Sequence, residues 1–298
     1  MTRRVIVVGG GPAGLMAAEV LAAAGVEVHL YDAMPSVGRK FLLAGKGGLN
    51  LTHSEPADVF ETRFGGRQAV VAGWLQAFGA QRLRDWVRTL GVETFIGTSG
   101  RVFPADMKAA PLLRAWLHRL RHPPAGPAVQ FHMRHRWVGW DADNNASTCL
   151  RFDTSEGPVS ASADAVVLAL GGASWPQLGS DGAWFDVLRA RGVPLAPLLP
   201  SNCGFDVAGG WSAHFSQRFA GSPFKSVGLR VPDGGGEPAF DRKGEFVATR
   251  TGIEGSLVYA ASGLLRDTIR AQGEAELFID LLPDWTLDKV AREVAHPR

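Results

Sequence analysis

The sequence predicts an α/β fold built on a parallel sheet, and three observations carry that expectation. The first is a β-branched run, Val5-Ile6-Val7-Val8, that leads directly into Gly9-Gly10-Gly11-Pro12-Ala13-Gly14. The second is an Ala- and Leu-rich helical stretch, Leu15 to Ala24, closed by Gly25 and followed by an apolar strand, Val26 to Tyr31, that ends in Asp32. The third is Ala165 to Leu170, apolar on both faces as a strand in the middle of a parallel sheet should be. Strand, glycine turn, helix, strand and acid in this order are the context that gives a GxGxxG motif its meaning.

Each element of the motif has its own physical task. Gly9 allows the tight turn out of the strand, Gly11 lets backbone approach a pyrophosphate, and Gly14 lets helix and strand pack closely. Pro12 and Ala13 stand in the turn and are counted as cofactor-binding, and the first N–H groups and dipole of the following helix face the diphosphate. Asp32 stands where a carboxylate accepts hydrogen bonds from a ribose diol. The N-terminus therefore reads as a Rossmann-type βαβ unit that binds a dinucleotide.

The segment after the acid, Ala33-Met34-Pro35-Ser36-Val37-Gly38-Arg39-Lys40, decides which dinucleotide is expected. An NAD site needs little beyond the acid, whereas FAD is longer and leaves a second stretch of chain to pass over its diphosphate and ribityl arm. Arg39 and Lys40 supply positive charge there. Gly45, Gly47 and Gly48 let backbone approach the flavin ring. A 2′-phosphate, as in NADP, is disfavoured because the Asp32 carboxylate would repel it.

The stretch Arg39-Lys40-Phe41-Leu42-Leu43-Ala44-Gly45-Lys46-Gly47-Gly48-Leu49-Asn50-Leu51-Thr52-His53 resembles the signature of the BaiN/RdsA-like (YhiN-like) family of NAD(P)/FAD-dependent oxidoreductases. Gly100-Arg101-Val102-Phe103-Pro104 and Ala165 to Pro176 resemble two further stretches of that family. The resemblance implies a glutathione-reductase-like FAD-binding three-layer domain with a β-meander, plus an inserted, partly β domain. It implies that Leu49, Asn50, Ala169, Leu170 and Gly171 lie along the cofactor, and Trp137 is counted with them. The commoner form of the loop carries Arg-Cys before the Asn. This chain has Gly48-Leu49, so no cysteine acts there. In the family the chain returns after the insert with a last strand and a small-residue turn bearing an acid. No such segment follows residue 200, so the chain is expected to lack the C-terminal part of the family's usual length.

Helical periodicity is clear in Arg67 to Phe78, Arg82 to Leu90 and Lys108 to Arg121. Ala128 to Trp140, Cys149 to Phe152 and Val159 to Ala161 alternate in short segments, and Asp143-Asn144-Asn145 supplies one of the turns. They predict an antiparallel meander placed before the strand at Ala165. Gly179-Ser180-Asp181-Gly182 opens a helix ending at Gly192, with Ser180 or Asp181 as cap. Three prolines in Pro194 to Pro200 form a stiff connection. The expected domains are therefore 1–194, binding FAD, and 195–298, on the substrate side. The second has strands at Cys203 to Val207, Phe224 to Val231 and Glu245 to Ala248, a glycine loop at Asp233 to Gly236, and helices at Ser256 to Gln272 and Leu287 to Val294.

Composition excludes several function classes. A net charge of +2 over 298 residues gives no global electrostatic case for nucleic acid or an anionic membrane. Cys149 and Cys203 form no CxxC, which suits a reducing compartment, and with no leader or membrane-length apolar run the expected location is cytoplasmic. Residues 114–137 do interleave Arg114, Arg119, Arg121, Arg134 and Arg136 and four histidines with Trp116, Phe131 and Trp137, the pattern an RNA-binding face would use. The alternative is a solvated helix and strand with the aromatics turned inward. His118 and His122, four apart, lack a third metal ligand at useful spacing.

The function expected is that of a FAD-dependent oxidoreductase acting on a small-molecule substrate, with hydride transfer at the flavin ring and NAD(P)H as a possible electron donor. Lys46, or a backbone N–H from Gly47 to Asn50, is a candidate to stabilise negative charge on the reduced ring. The runner-up is a non-catalytic or RNA-associated dinucleotide-binding module. No metal is expected.

Overall fold

The computed structural model describes residues 3–45, 47–141, 148–233 and 238–295. Lys46, the turn Asp143-Asn144-Asn145 and Gly234 to Gly236 lie outside the described residues. The chain divides into two compact units, Met1–Ala196 and Pro197–Arg298. Among the described residues no helix is long and apolar enough to cross a membrane.

The first unit begins with strand β1 (Arg4–Val8), helix α1 (Pro12–Ala23) and strand β2 (Glu27–Asp32). Helix α1 starts one turn earlier than its Ala and Leu content suggests. Pro12 occupies its first turn, where a missing N–H costs nothing. A short helix α2 (Arg39–Ala44) follows, entered through Gly38 in the left-handed region (φ 69°). Strand β3 (Thr52–His53), helices α3 (Ala57–Thr62), α4 (Gln68–Phe78) and α5 (Ala80–Thr89), and strands β4 (Thr94–Ile96) and β5 (Arg101–Pro104) come next. The three strands form a small antiparallel sheet in the order β3-β5-β4. Helix α6 (Ala109–Arg121) leads to β6 (Gln130–Met133), β7 (Arg136–Trp140), β8 (Cys149–Thr154), β9 (Gly157–Ser162), β10 (Ala165–Leu168) and helix α7 (Trp184–Ala190).

The central sheet is parallel with order β10-β1-β2-β6. Alternation along β1 separates two cores. Val5 and Val7 join Val28 and Leu30 under Leu15, Ala18, Leu113 and Trp116 of α1 and α6. Ile6 and Val8 point the other way, toward Tyr31, Leu150 and Phe152, beneath the meander β7-β8-β9. Both faces are thus buried, which is why β1 reads as a continuous apolar run. The result is a three-layer α/β unit of Rossmann type with a β-meander.

Three expectations change. Ala128 to Trp140 is not one meander strand: β6 pairs in parallel with β2, and only β7 enters the meander. The break falls at Arg134, in the left-handed region (φ 61°). There the N–H groups of Arg134 and His135 bond to the carbonyls of Met34 and Asp32, ending the ladder. Strand β10 is not in the middle of the sheet. Among the described residues it pairs only with β1, and Leu168 is 37% exposed. Helix α7, with 7 residues ending at Ala190, is somewhat shorter than the roughly ten residues expected up to Gly192, and residues 175–180 before it close a loop of their own. Trp175 and Ser180 exchange two backbone hydrogen bonds of 3.1 Å.

The second unit contains β11 (Phe205–Asp206), α8 (Ala213–Phe219), β12 (Pro223–Val231), β13 (Phe240–Ala248), β14 (Gly252–Glu254), α9 (Ser256–Gln272), β15 (Phe278–Asp280) and α10 (Leu287–Ala295). Its strands form one antiparallel sheet, order β11-β14-β13-β12-β15. One face of α9, with Leu257, Val258, Ala261 and Leu265, packs on Val227, Leu229 and Phe246.

The close packing of α1 on the sheet rests on Gly14. A Cβ there would press on the Gly9 carbonyl oxygen and sit 3.3 Å from the Ala169 Cβ. Gly14→Ala is therefore expected to lower unfolding stability by about 1–3 kcal/mol, the usual cost of overpacking, measured as a lower urea midpoint at unchanged slope.

Candidate functional site

A cavity of about 650 Å³ opens at the C-terminal edge of the parallel sheet. Its floor is the turn from β1 into α1, where Gly9, Gly11 and Pro12 line it. Gly9 has φ 105°, and a Cβ on it would collide with the Ala169 carbonyl, so only glycine fits. Gly11 differs: a Cβ there would meet nothing within 4 Å, so its backbone faces open space. It is the N-cap of α1 and makes no side-chain cap. The first N–H groups of the helix, which have no intrahelical acceptor, point into that space with the positive end of the helix dipole.

Asp32 closes one side. Its Oδ2 accepts from the Gly10 N–H at 2.6 Å and its Oδ1 from the Met34 N–H at 2.7 Å. Burial pushes the Asp32 carboxyl above the usual aspartate range, opposed by these two N–H donors and by the nearby Arg39 guanidinium. Gly38, Arg39 and Lys40 line the cavity at the start of α2. The Arg39 Nε is buried and has no hydrogen-bond partner among the described residues. Lys40 reaches across to the opposite wall, donating to the Ser174 Oγ at 2.5 Å.

The remaining walls come from distant parts of the chain. Leu49 and Asn50 contribute one edge. Ala169, Leu170 and Gly171 contribute another, followed by Leu178, Gly179 and Ser180 of the closed loop. Ser180 is buried and donates to the Gly172 carbonyl at 3.0 Å, holding that loop against the end of β10. The third wall is apolar and includes Phe41, Trp86 and Trp116. Glu19, on α1, accepts from the Trp116 indole N–H at 2.6 Å and the Trp86 indole N–H at 3.2 Å, and pairs with Arg119 at 2.7 Å.

Twelve of the sequence-derived residues thus share one cavity: Gly9, Gly11, Pro12, Asp32, Gly38 to Lys40, Leu49, Asn50 and Ala169 to Gly171. Others stand apart from its lining. Gly14 is used in packing, and Ala13 and Ala33 flank lining residues. A Cβ on Gly45 would press on Ala109 of α6, and one on Gly48 (φ 112°) on Met107, while Gly47 has open space around it. Trp137 is buried in the core beneath the meander. Lys46 lies outside the described residues.

The aromatics of the basic stretch 114–137 offer no stacking face on the outer surface. Trp116 and Trp137 are buried, Arg119 and Arg136 are paired with Glu19 and Asp181, and Arg121 lies over Phe131. Among the described residues no cluster of three or more metal-ligating side chains occurs. Sequence reasoning missed Gly10, whose N–H serves Asp32, and the tryptophan wall. Trp86 and Trp116 are legible in the sequence as apolar positions of two helices, and Trp116 also as an aromatic of the basic stretch.

Glu19 accepts from two indole N–H donors and is ion-paired with Arg119. Glu19→Ala leaves two indole N–H groups and a guanidinium without it, and should cost at least about 1.5–3 kcal/mol of unfolding stability. Glu19→Gln, which keeps one acceptor oxygen, should cost clearly less. Paired urea melts of the two variants check this.

Comparison with known proteins adds three findings. The chain is 25% identical over 296 residues to a 3-dehydro-bile acid delta(4,6)-reductase of Clostridium scindens, a match taking in 97% of this chain and 67% of that protein. Similar solved structures include the open conformation of a flavocytochrome c3 fumarate reductase (18% identity, 76% of this chain, 47% of that one, TM-score 0.48). Another is THI4 of Thermovibrio ammonificans (17% identity, 65% and 64%, TM-score 0.41). A family model described as the HI0933-like protein Rossmann domain matches residues 3–272, and the chain belongs to that family.

Proposed function

We propose that this chain binds FAD in the cavity at the sheet edge and belongs to a FAD-dependent oxidoreductase acting on a small molecule. The observation that carries the reading is the meeting, in one cavity, of an uncapped helix start, a ribose-competent carboxylate and a buried guanidinium nitrogen lacking an acceptor among the described residues. A dinucleotide supplies what each of these lacks: diphosphate oxygens for the helix start and the guanidinium, and ribose hydroxyl donors for the carboxylate. The reductase name of the Clostridium scindens relative supports the reaction class.

Bound FAD supplies hydride or electron transfer at its ring system. The chain's own residues bind and orient it. Gly11 leaves room for the diphosphate, and the N–H groups at the start of α1 donate to its oxygens. Arg39 and Lys40 balance its charge, Arg39 through its free Nε and Lys40 by exchanging Ser174 for phosphate oxygen. Asp32 keeps lone pairs for the ribose hydroxyls while its two backbone donors hold it in place. Leu49, Asn50 and Ala169 to Gly171 flank the remainder of the cofactor, and Lys46 is retained as the group nearest in sequence for charge on the reduced ring. NAD(P)H is the proposed electron donor.

Purified protein titrated with FAD should show saturable binding in the visible spectrum. Saturable NAD binding with no detectable FAD binding would sink the assignment. Asp32→Ala should weaken FAD binding tenfold or more, since a hydrogen bond to a charged acceptor contributes about 1.5–3 kcal/mol. Arg39→Met should weaken it as well, and more at low salt.

The pH dependence follows from the raised Asp32 pKa. The ionised carboxylate is the acceptor, so FAD affinity should be full above that pKa and fall as pH drops through it, read by titrations from about pH 7 to about pH 4. Stability of the free protein has the opposite sign. A carboxyl with a raised folded-state pKa contributes most below its unfolded value and loses that contribution as pH rises through the folded one. An Asp32→Asn variant should flatten both profiles.

A further inference from the structure

Among the described residues, the charged lining of the 650 Å³ cavity is Asp32, Arg39 and Lys40. Phe41, which follows Lys40 in α2, and Leu83, Trp86, Leu112 and Trp116 also line it, packed on one another as an apolar cluster. Glu19, which anchors both tryptophans, is seven residues along α1 from Pro12, about 10 Å from the helix start at 1.5 Å per residue. The charged residues and the tryptophan wall therefore form two parts of the lining with different chemistry, the second being the cavity's apolar end.

The apolar end is built, not left over. Trp86 and Trp116 meet edge to face with centroids 4.7 Å apart, and Phe41 meets Trp116 in the same way at 6.4 Å. Their polar edges are turned away, because both indole N–H groups donate to Glu19, whose charge is met by Arg119. What remains toward the cavity is hydrocarbon and ring surface. A charged ligand group would lose its hydration there and, among the described residues, meet no charged lining side chain beyond Asp32, Arg39 and Lys40.

An apolar path leads to it from solvent. Phe78 lines the cavity and is also 41% exposed. Trp74 and Val70, one and two turns earlier on α4, are 67% and 51% exposed, and the spacing of four puts all three on one face.

We infer that this tryptophan-walled end is the chamber for the uncharged hydrocarbon body of the substrate, at least one ring system in size, admitted past Phe78. The assignment rests on the reading of the neighbouring end as the FAD site. It places the substrate class among flat, apolar molecules whose polar groups stay outside the chamber.

The test uses the neutral fluorophore N-phenyl-1-naphthylamine, titrated into the protein with and without saturating FAD. Expected are saturable binding with blue-shifted emission, energy transfer from tryptophan, and persistence of the signal with FAD bound. Leu83→Trp, which fills the chamber, should weaken probe binding at least tenfold with FAD affinity unchanged. Phe78→Asp, at the exposed mouth, should do the same without altering the interior, so a misfolded Leu83→Trp does not end the test. One-for-one displacement of the probe by FAD would overturn the chamber as a separate site, as would parental probe affinity in both folded variants. A protein that binds the probe, loses it in both variants and never binds FAD supports the chamber and overturns the cofactor reading instead.

Discussion

The Asp32 carboxylate joins two turns that the rest of the site is built on. Through Oδ2 it holds the Gly10 N–H of the turn after β1, and through Oδ1 the Met34 N–H of the turn after β2. A half-buried carboxylate needs donors of this kind, since burying the charge without them is costly. The tie propagates: the Gly10 carbonyl accepts from the Gly38 N–H at 2.8 Å, and Gly38 starts α2. Arg39 and Lys40 reach the cavity because of that chain of bonds. Space is as tight as the bonding. A Cβ on Gly10 would strike Val37 and crowd the Asp32 Oδ2.

The other wall depends on crowding more than on hydrogen bonds. Gly9 lies against the Ala169 carbonyl and Gly14 against Gly9, so β1, α1 and the end of β10 approach as closely as backbones can. Gly171 (φ 71°) then turns the chain into the loop that Trp175 and Ser180 close. Lys40 spans the gap between this loop and α2 through Ser174. Segments more than 130 residues apart in sequence thus face each other over a few ångströms.

Glu19 plays the opposite part to Asp32. Both are carboxylates near α1, but Glu19 spends its lone pairs on protein donors. It orients Trp86 and Trp116 and removes their N–H groups from the cavity. Asp32, held only by backbone, keeps capacity for a ligand. The difference between a structural and a binding carboxylate here is the number of side-chain donors around it.

The local sequence determined whatever depends on short-range sterics and periodicity. The Val5–Val8 run, the spacing of Gly9, Gly11 and Gly14, and Asp32 at the end of β2 were legible because each constrains its own backbone. The helix at Ala109–Arg121 was legible from its apolar spacing. Tertiary structure decided the rest. A strand's partner is set by distant segments, so β6 was read with the meander until the bonds of Arg134 and His135 to the β2 end placed it in the parallel sheet. Position in the sheet was likewise hidden: β10 is apolar on both faces yet pairs only with β1 among the described residues. The tryptophan wall was invisible for the same reason, since Trp86 and Trp116 face one cavity only because Glu19, 67 and 97 residues away, holds them there.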